Sequence, residues 1–244
     1  MIALAVDTST FFASVAVLQD HAVRAQLVQS VRSTHSDRLM VAIEQTLAAA
    51  ELDKKDLDLL LVCRGPGSFS GLRIGIAAMS GLAAALHLPL HSFVNLDLLA
   101  LQFSICRGFV CPVVDARRGQ LYWSLYAVDE IGERRRVRAY GVDNPERIIQ
   151  LVDVEKTLIV GPGADVYRAA MESAAGVRLN CIGLPLGIVN LALVSRLVAE
   201  ALTESPVCKP GQASPVTPLY IRPSDAEINL GRKTSGLPDP GHLT

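Results

Sequence analysis

The chain has 244 residues, half of them hydrophobic, and a formal net charge of −1. That is enough apolar material for one large domain or for two of about 100 residues each. Near-neutrality excludes binding a polyanion over the whole surface, and the dense run Arg134, Arg135, Arg136 and Arg138 reads first as a solvated strand edge guarded against pairing.

The five cysteines, Cys63, Cys106, Cys111, Cys181 and Cys208, lie far apart without a CxxC pair, which suits a reducing cytosol. The N-terminus, Met1 to Asp7, lacks a basic n-region and meets an aspartate too early for a signal peptide, so a cytoplasmic protein is expected. The most apolar stretch, Leu72 to Leu90, holds Arg73, His87 and Pro89. It reads as a buried helix, because a membrane span needs about 20 apolar residues without charge.

In chain order, residues 2–7, 12–18 and 22–29 are strand-like, with the polar turn Asp7-Thr8-Ser9-Thr10 between the first two. Ser33-Thr34-His35-Ser36 offers helix caps, and the helix that follows places Leu39, Ile43, Leu47 and Ala50 on one stripe. Leu57 to Cys63 is an apolar strand of the doubly buried kind. A glycine loop, Gly65-Pro66-Gly67-Ser68-Phe69-Ser70-Gly71, leads into a helix predicted over 72–86. A strand over 90–94 and a helix over 95–105 complete this half.

The second half repeats the order. Phe109 to Val114 is a strand ending at Asp115, and Arg117-Arg118-Gly119 makes a turn. Strands over 121–128 and 136–142 precede a helix opened by Asn144-Pro145-Glu146. A strand over 157–160 runs into Gly161-Pro162-Gly163, and a helix, a strand and a helix follow to Leu202. Each half therefore begins with a strand ending in aspartate and has a fourth strand running into Gly-Pro-Gly. The expected fold is α/β, two duplicated βββαβαβα lobes of the actin and sugar-kinase (ASKHA) type. The lobes are expected at 1–106 and 107–222. Residues 223–244, polar and rich in Gly and Pro, read as a disordered tail.

A strand feeding a glycine turn and a helix is the arrangement that binds phosphate at a helix N-terminus. No Gly-Lys-Ser/Thr follows, so the Walker lysine and magnesium-binding hydroxyl are missing, and the spacing does not fit Gly-x-Gly-x-x-Gly. The other reading is a tight crossover whose glycines admit close packing. Asp7 and Asp115 either orient magnesium or water in a cleft or cap turns. Of the five histidines, only His87 and His91 fall at helical spacing, and Pro89 lies between them. No Ser-His-Asp set or HExxH can be placed. Arg73, at the start of a helix, opposes the helix dipole and calls for a carboxylate, phosphate or partner-chain contact. The helices 36–50 and 72–86 are apolar on more than one side. Small residues (Gly75, Ala78, Gly81) in the second would allow another helix to approach.

The glycine loop, continued to Gly75, resembles the signature of the TsaB family, formerly YeaZ, with Ser70 where members usually carry threonine. Further resemblances are residues 5–10, His35-Ser36-Asp37-Arg38-Leu39, residues 115–122 and Leu219-Tyr220-Ile221-Arg222, so the likeness runs from residue 1 to about 222. The resemblance implies a non-catalytic dimerisation subunit. Its partners would be the catalytic subunit TsaD and the ATPase TsaE, and the complex transfers threonylcarbamoyl to the adenosine beside the anticodon of tRNA. It further implies a homodimer in isolation, no required cofactor, and an interface on the N-terminal helices, here Leu39, Ile43, Leu47, Arg73, Gly75, Ala78 and Gly81. ATP or ADP at the subunit interface would touch Asp7, Thr8, Ser9, Gly65, Gly67 and Asp115. Catalytic relatives carry Asn-His-x-x-x-His, and the matching stretch here, from Asn95, has Leu96 and Ala100 at the histidine positions, so no metal site is expected. The competing expectation is a small-molecule kinase or ATPase acting through Asp7 and Asp115.

Overall fold

The computed structural model describes residues 1–20, 22–30, 36–183, 194 and 216–222. Of the caps expected at residues 33–36 only Ser36 is described, as the first residue of α1; the helix expected to end at Leu202, apart from Val194, and the 223–244 tail lie outside the described residues. The N-terminal lobe is built from β1 (Ile2–Asp7), β2 (Phe12–Gln19), β3 (Ala22–Ser30), α1 (Ser36–Ala49), β4 (Leu59–Cys63), α2 (Phe69–Leu86), β5 (Leu90–Phe93) and α3 (Asn95–Gln102). The C-terminal lobe follows with β6 (Gly108–Arg117), β7 (Gln120–Val128), β8 (Arg134–Asp143), α4 (Pro145–Leu151), β9 (Thr157–Val160), α5 (Pro162–Ala175) and β10 (Cys181–Ile182).

The sheet orders are β3-β2-β1-β4-β5 and β8-β7-β6-β9-β10, one pattern used twice. In each, the first three strands are antiparallel neighbours and the last two join in parallel. This is the duplicated actin and sugar-kinase-like topology that the element order predicts.

Strand periodicity makes the two-sided core. Leu4, Val6, Val15, Val17, Leu60 and Val62 point to the face covered by α1 and α2. Their neighbours Ala3, Ala5, Ala16, Leu18, Leu59, Leu61 and Cys63 point to the face covered by Leu98 and Leu101 of α3. Every residue of β4 is buried, as a central strand with parallel neighbours requires.

α2 starts three residues before the predicted helix. Ser68 caps it, its side chain accepting from the Gly71 N–H, so the helix begins inside the glycine stretch. By length and composition α2 could cross a membrane. In the chain its Leu72, Ile76, Met79, Leu82 and Ala83 lie buried against the sheet.

α3 sits between the lobes. Leu98 and Leu101 serve the first sheet, while Ala100 packs with Val110, Tyr126 and Val160 of the second. On its polar side Asp97 accepts hydrogen bonds from the hydroxyls of Tyr126 and Tyr140, with an Arg136 guanidinium nitrogen 3.6 Å away. Burial, and then the Asp97 carboxylate, push both phenols up. The folded chain therefore holds these protons beyond the pH, about 10, at which unfolded tyrosines release them. The stability this pair contributes is fully present below pH about 10 and is lost as pH rises further. Melting temperature should hold through neutral pH and fall steeply above pH about 10. A Tyr126→Phe/Tyr140→Phe chain should show a shallower alkaline fall; an unchanged slope would refute the linkage.

Candidate functional site

The turn after β1 and the glycine loop are packed into one unit. Asp7 is buried, and its Oδ1 accepts the Ser9 N–H at 2.7 Å. Thr8 donates its hydroxyl to the Gly71 carbonyl at 2.8 Å. The Ser9 carbonyl accepts the Ser68 N–H at 2.7 Å. Asn95, at the start of α3, donates through Nδ2 to Ser9 Oγ at 2.9 Å and to the Pro66 carbonyl at 2.7 Å, and its N–H reaches the Gly65 carbonyl at 3.1 Å.

The glycines are required by this approach. A Cβ on Gly67 would overlap the Ser9 carbonyl, one on Gly71 the Thr8 carbonyl, and one on Gly75 the Thr8 hydroxyl. The space beside a phosphate-type helix start is therefore filled by the chain's own backbone. Cys63 lies beneath, and burial together with the Asp7 carboxylate pushes its thiol well up, which denies it thiolate character.

The duplicate in the C-terminal lobe has the same logic. Asp115 Oδ1 accepts the Arg117 N–H at 2.7 Å, the same two-residue carboxylate turn as at Asp7. It also accepts the Tyr167 hydroxyl at 3.0 Å. Gly161 approaches the Val113 carbonyl as Gly67 approaches Ser9, while a Cβ on Gly163 would first meet the Leu121 side chain. The two turns meet, with the Arg117 guanidinium 4.1 Å from the ring centroid of Phe11. Asp7, Thr8, Ser9, Gly65 and Gly67 are thus brought together, and Asp115 stands in the facing turn. Leu96 and Ala100 are fully buried among apolar neighbours.

The expected interface residues divide. Leu39, Ile43 and Leu47 belong to the chain's own core, at 1%, 0% and 3% exposure, so they do not face a partner. Their stripe is the side of α1 that the sheet covers. Gly75 is likewise buried against Thr8, and Ala78 is half-buried on the same core. Gly81 is exposed, with nothing within 4 Å of where its Cβ would stand. Arg73 falls in the second turn of α2, where the dipole has faded. It donates Nε to the Tyr220 hydroxyl at 3.0 Å and lies 3.8 Å over the Phe69 ring, so its contact is aromatic and internal.

The outward side of α1 carries Arg38, Met40, Val41, Glu44, Gln45, Ala48 and Ala49, and that of α2 carries Ser70, Arg73, Ala77, Gly81, Ala84 and Ala85. Val41 is 49% exposed. The sequence reading missed Met40 and Val41, although a half-turn offset from the buried stripe marks them. A separate groove of about 530 Å³ in the C-terminal lobe gathers Arg107, Lys156, Arg168 and Arg178. Lys156 is matched by Asp153 and Arg168 by Asp165, and Glu155 and Glu172 add two more acids, so its net field is small.

The topology and the paired carboxylate turns define an actin and sugar-kinase-like protein whose two turns touch through Arg117 and Phe11. A family model described as TsaD, tRNA N6-adenosine threonylcarbamoyltransferase, matches residues 29–229. The tRNA threonylcarbamoyladenosine biosynthesis protein TsaB of Escherichia coli is 36% identical over 226 residues, 90% of this chain and 94% of that protein. The Bacillus subtilis TsaB is 36% identical over 126 residues, 52% of this chain and 55% of that protein. The solved structure of YeaZ from Pseudomonas aeruginosa, 28% identical, superposes with a TM-score of 0.71 over 90% of this chain and 99% of its own. The chain belongs to the TsaB (YeaZ) family of tRNA threonylcarbamoyladenosine biosynthesis proteins.

Proposed function

We propose that this chain is a non-catalytic scaffold subunit that supports TsaD in threonylcarbamoyl transfer to the adenosine next to the tRNA anticodon. The observation that carries the reading is the packing of the glycine loop onto the turn after β1. The glycine loop is wrapped on Asp7, Thr8 and Ser9, and Arg117 lies on Phe11 across the cleft. Both aspartates are engaged as turn caps, and Leu96 and Ala100, which the resemblance sets against metal-binding histidines, are buried. On this reading the chain needs no cofactor of its own, forms a homodimer when alone, joins TsaD and TsaE, and meets tRNA through that complex.

The face offered to TsaD is the exposed side of α2, small at Ala77, Gly81, Ala84 and Ala85, together with Val41 on the exposed side of α1. Small residues let a second helix come close, and an unpaired charge there would be desolvated on binding. Size-exclusion with light scattering on mixtures with TsaD tests this. The wild-type chain should form a hetero-complex. Gly81→Glu and Val41→Glu should each weaken it by about 100-fold, a loss of about 2.7 kcal/mol. Neither substitution meets the core, so the isolated variants should melt no lower than the wild type, with Gly81→Glu slightly higher because a better helix former replaces glycine. Undiminished association of both variants, or ATP hydrolysis by the isolated chain that Asp115→Ala abolishes, would sink the proposal.

A further inference from the structure

Residues 216–222 carry no helix or strand, yet they run along the seam between the lobes. On the N-terminal side Val216 packs against the core, and the Leu219 N–H donates to the Arg64 carbonyl at 2.7 Å. The Leu219 side chain sits in the seam with Val94, Leu96, Leu99 and Val114. Tyr220 stacks on Phe69 of α2 with ring centroids 4.9 Å apart, and its hydroxyl accepts from Arg73.

Two residues later the chain is anchored in the other lobe. Arg222 Nη1 donates to the Ala116 carbonyl at 2.7 Å and to Gln120 Oε1 at 3.3 Å. These acceptors flank the β6–β7 turn, in which Arg117, Arg118 and Gly119 have φ of 65°, 55° and 76°. Left-handed backbone costs a non-glycine residue about 1–2 kcal/mol and persists where the surroundings fix it. Arg222 fixes this turn from one side, and the Asp115 and Phe11 contacts of Arg117 fix it from the other.

We propose that residues 216–222 are a strap that holds the two lobes closed, with Tyr220 as its N-lobe anchor and Arg222 as its C-lobe anchor. Two extended residues span about 7 Å, so the lobes cannot part along this edge while both anchors hold. Each anchor therefore biases the lobe that the other one touches. α3 joins the lobes along the chain and acts as the hinge, while the strap acts as the latch. This inference stands apart from the partner reading, because every contact in it lies within one chain.

Residue-resolved hydrogen exchange on the full chain tests the coupling. The contacts of Arg222 are on the β6–β7 turn, yet Arg222→Ala should speed exchange at the Ser68 and Leu72 amides of the other lobe by about tenfold. The contacts of Tyr220 are on α2, yet Tyr220→Ala should speed exchange at the Arg117 amide by a similar factor. Amides of β4 and β6 should keep their protection and report that the fold is intact. If either alanine chain loses that protection, Tyr220→Phe and Arg222→Lys are read in its place, and smaller cross-lobe accelerations are expected. The strap is overturned if each substitution changes only the lobe its own side chain touches.

Discussion

Gly67→Ala should destabilise the chain by about 3 kcal/mol or more, and Gly71→Ala by a similar amount, read as denaturant midpoints. The added methyl groups would occupy the positions of the Ser9 and Thr8 carbonyls. Neither obstacle is the flexible end of a side chain. Both are backbone held by the Ser68 N–H and by the Asp7 turn, so relief requires moving β1 or α2 off the sheet. A glycine kept only to admit a phosphate behaves differently, since a methyl there spares the fold and weakens the ligand. A Gly67→Ala midpoint within about 0.5 kcal/mol of wild type would therefore return the loop to a ligand-binding role and remove the packing account.

Ile43→Asp should be the more severe change. Ile43 is fully buried between α1 and the first sheet, among Leu4, Val6 and Leu60. The substitution removes apolar contact and places a carboxylate where nothing pairs with it, a combination worth about 4 kcal/mol or more, enough to unfold many domains of this size. Val41→Asp, two residues away on the exposed side of α1, should change stability by no more than about 0.5 kcal/mol. The pair distinguishes the two sides of one helix by circular dichroism alone. Comparable melting of the two variants would mean that α1 is rotated from the orientation described. A charge at Ile43 or Leu47 is accordingly no test of partner binding, because the loss of fold would precede any loss of contact.

The architecture was legible because its signals are local. Strand periodicity, the unbroken apolar run of β4 and the repeated aspartate turns each lie within a few residues, and their repetition in order gave the two lobes. The face of α1 was harder. Spacing finds the stripe Leu39, Ile43 and Leu47, but a helix that is apolar on more than one side does not say which side its own sheet takes. Ser68 was hidden as a cap because it lies within a glycine run that reads as loop. The partner of Arg73 was out of reach for a different reason: Tyr220 is 147 residues away, and no local pattern announces a contact across that separation. The same holds for the Asp7 turn, whose close packing explains the glycines but whose register against them is set only when β1 and β4 pair.

Gly81 has a consequence for the isolated chain. It lies within α2, exposed, with no neighbour that a side chain would disturb. In such a place glycine is worse than alanine by roughly 0.5–1 kcal/mol, because it leaves more backbone freedom to be lost on folding. Gly81→Ala should therefore make the solitary chain slightly sturdier while thickening the face it offers. The natural sequence forgoes that easy gain. It keeps a bare length of backbone that is a weakness in solitude, and that the proposed docking of another helix would make good.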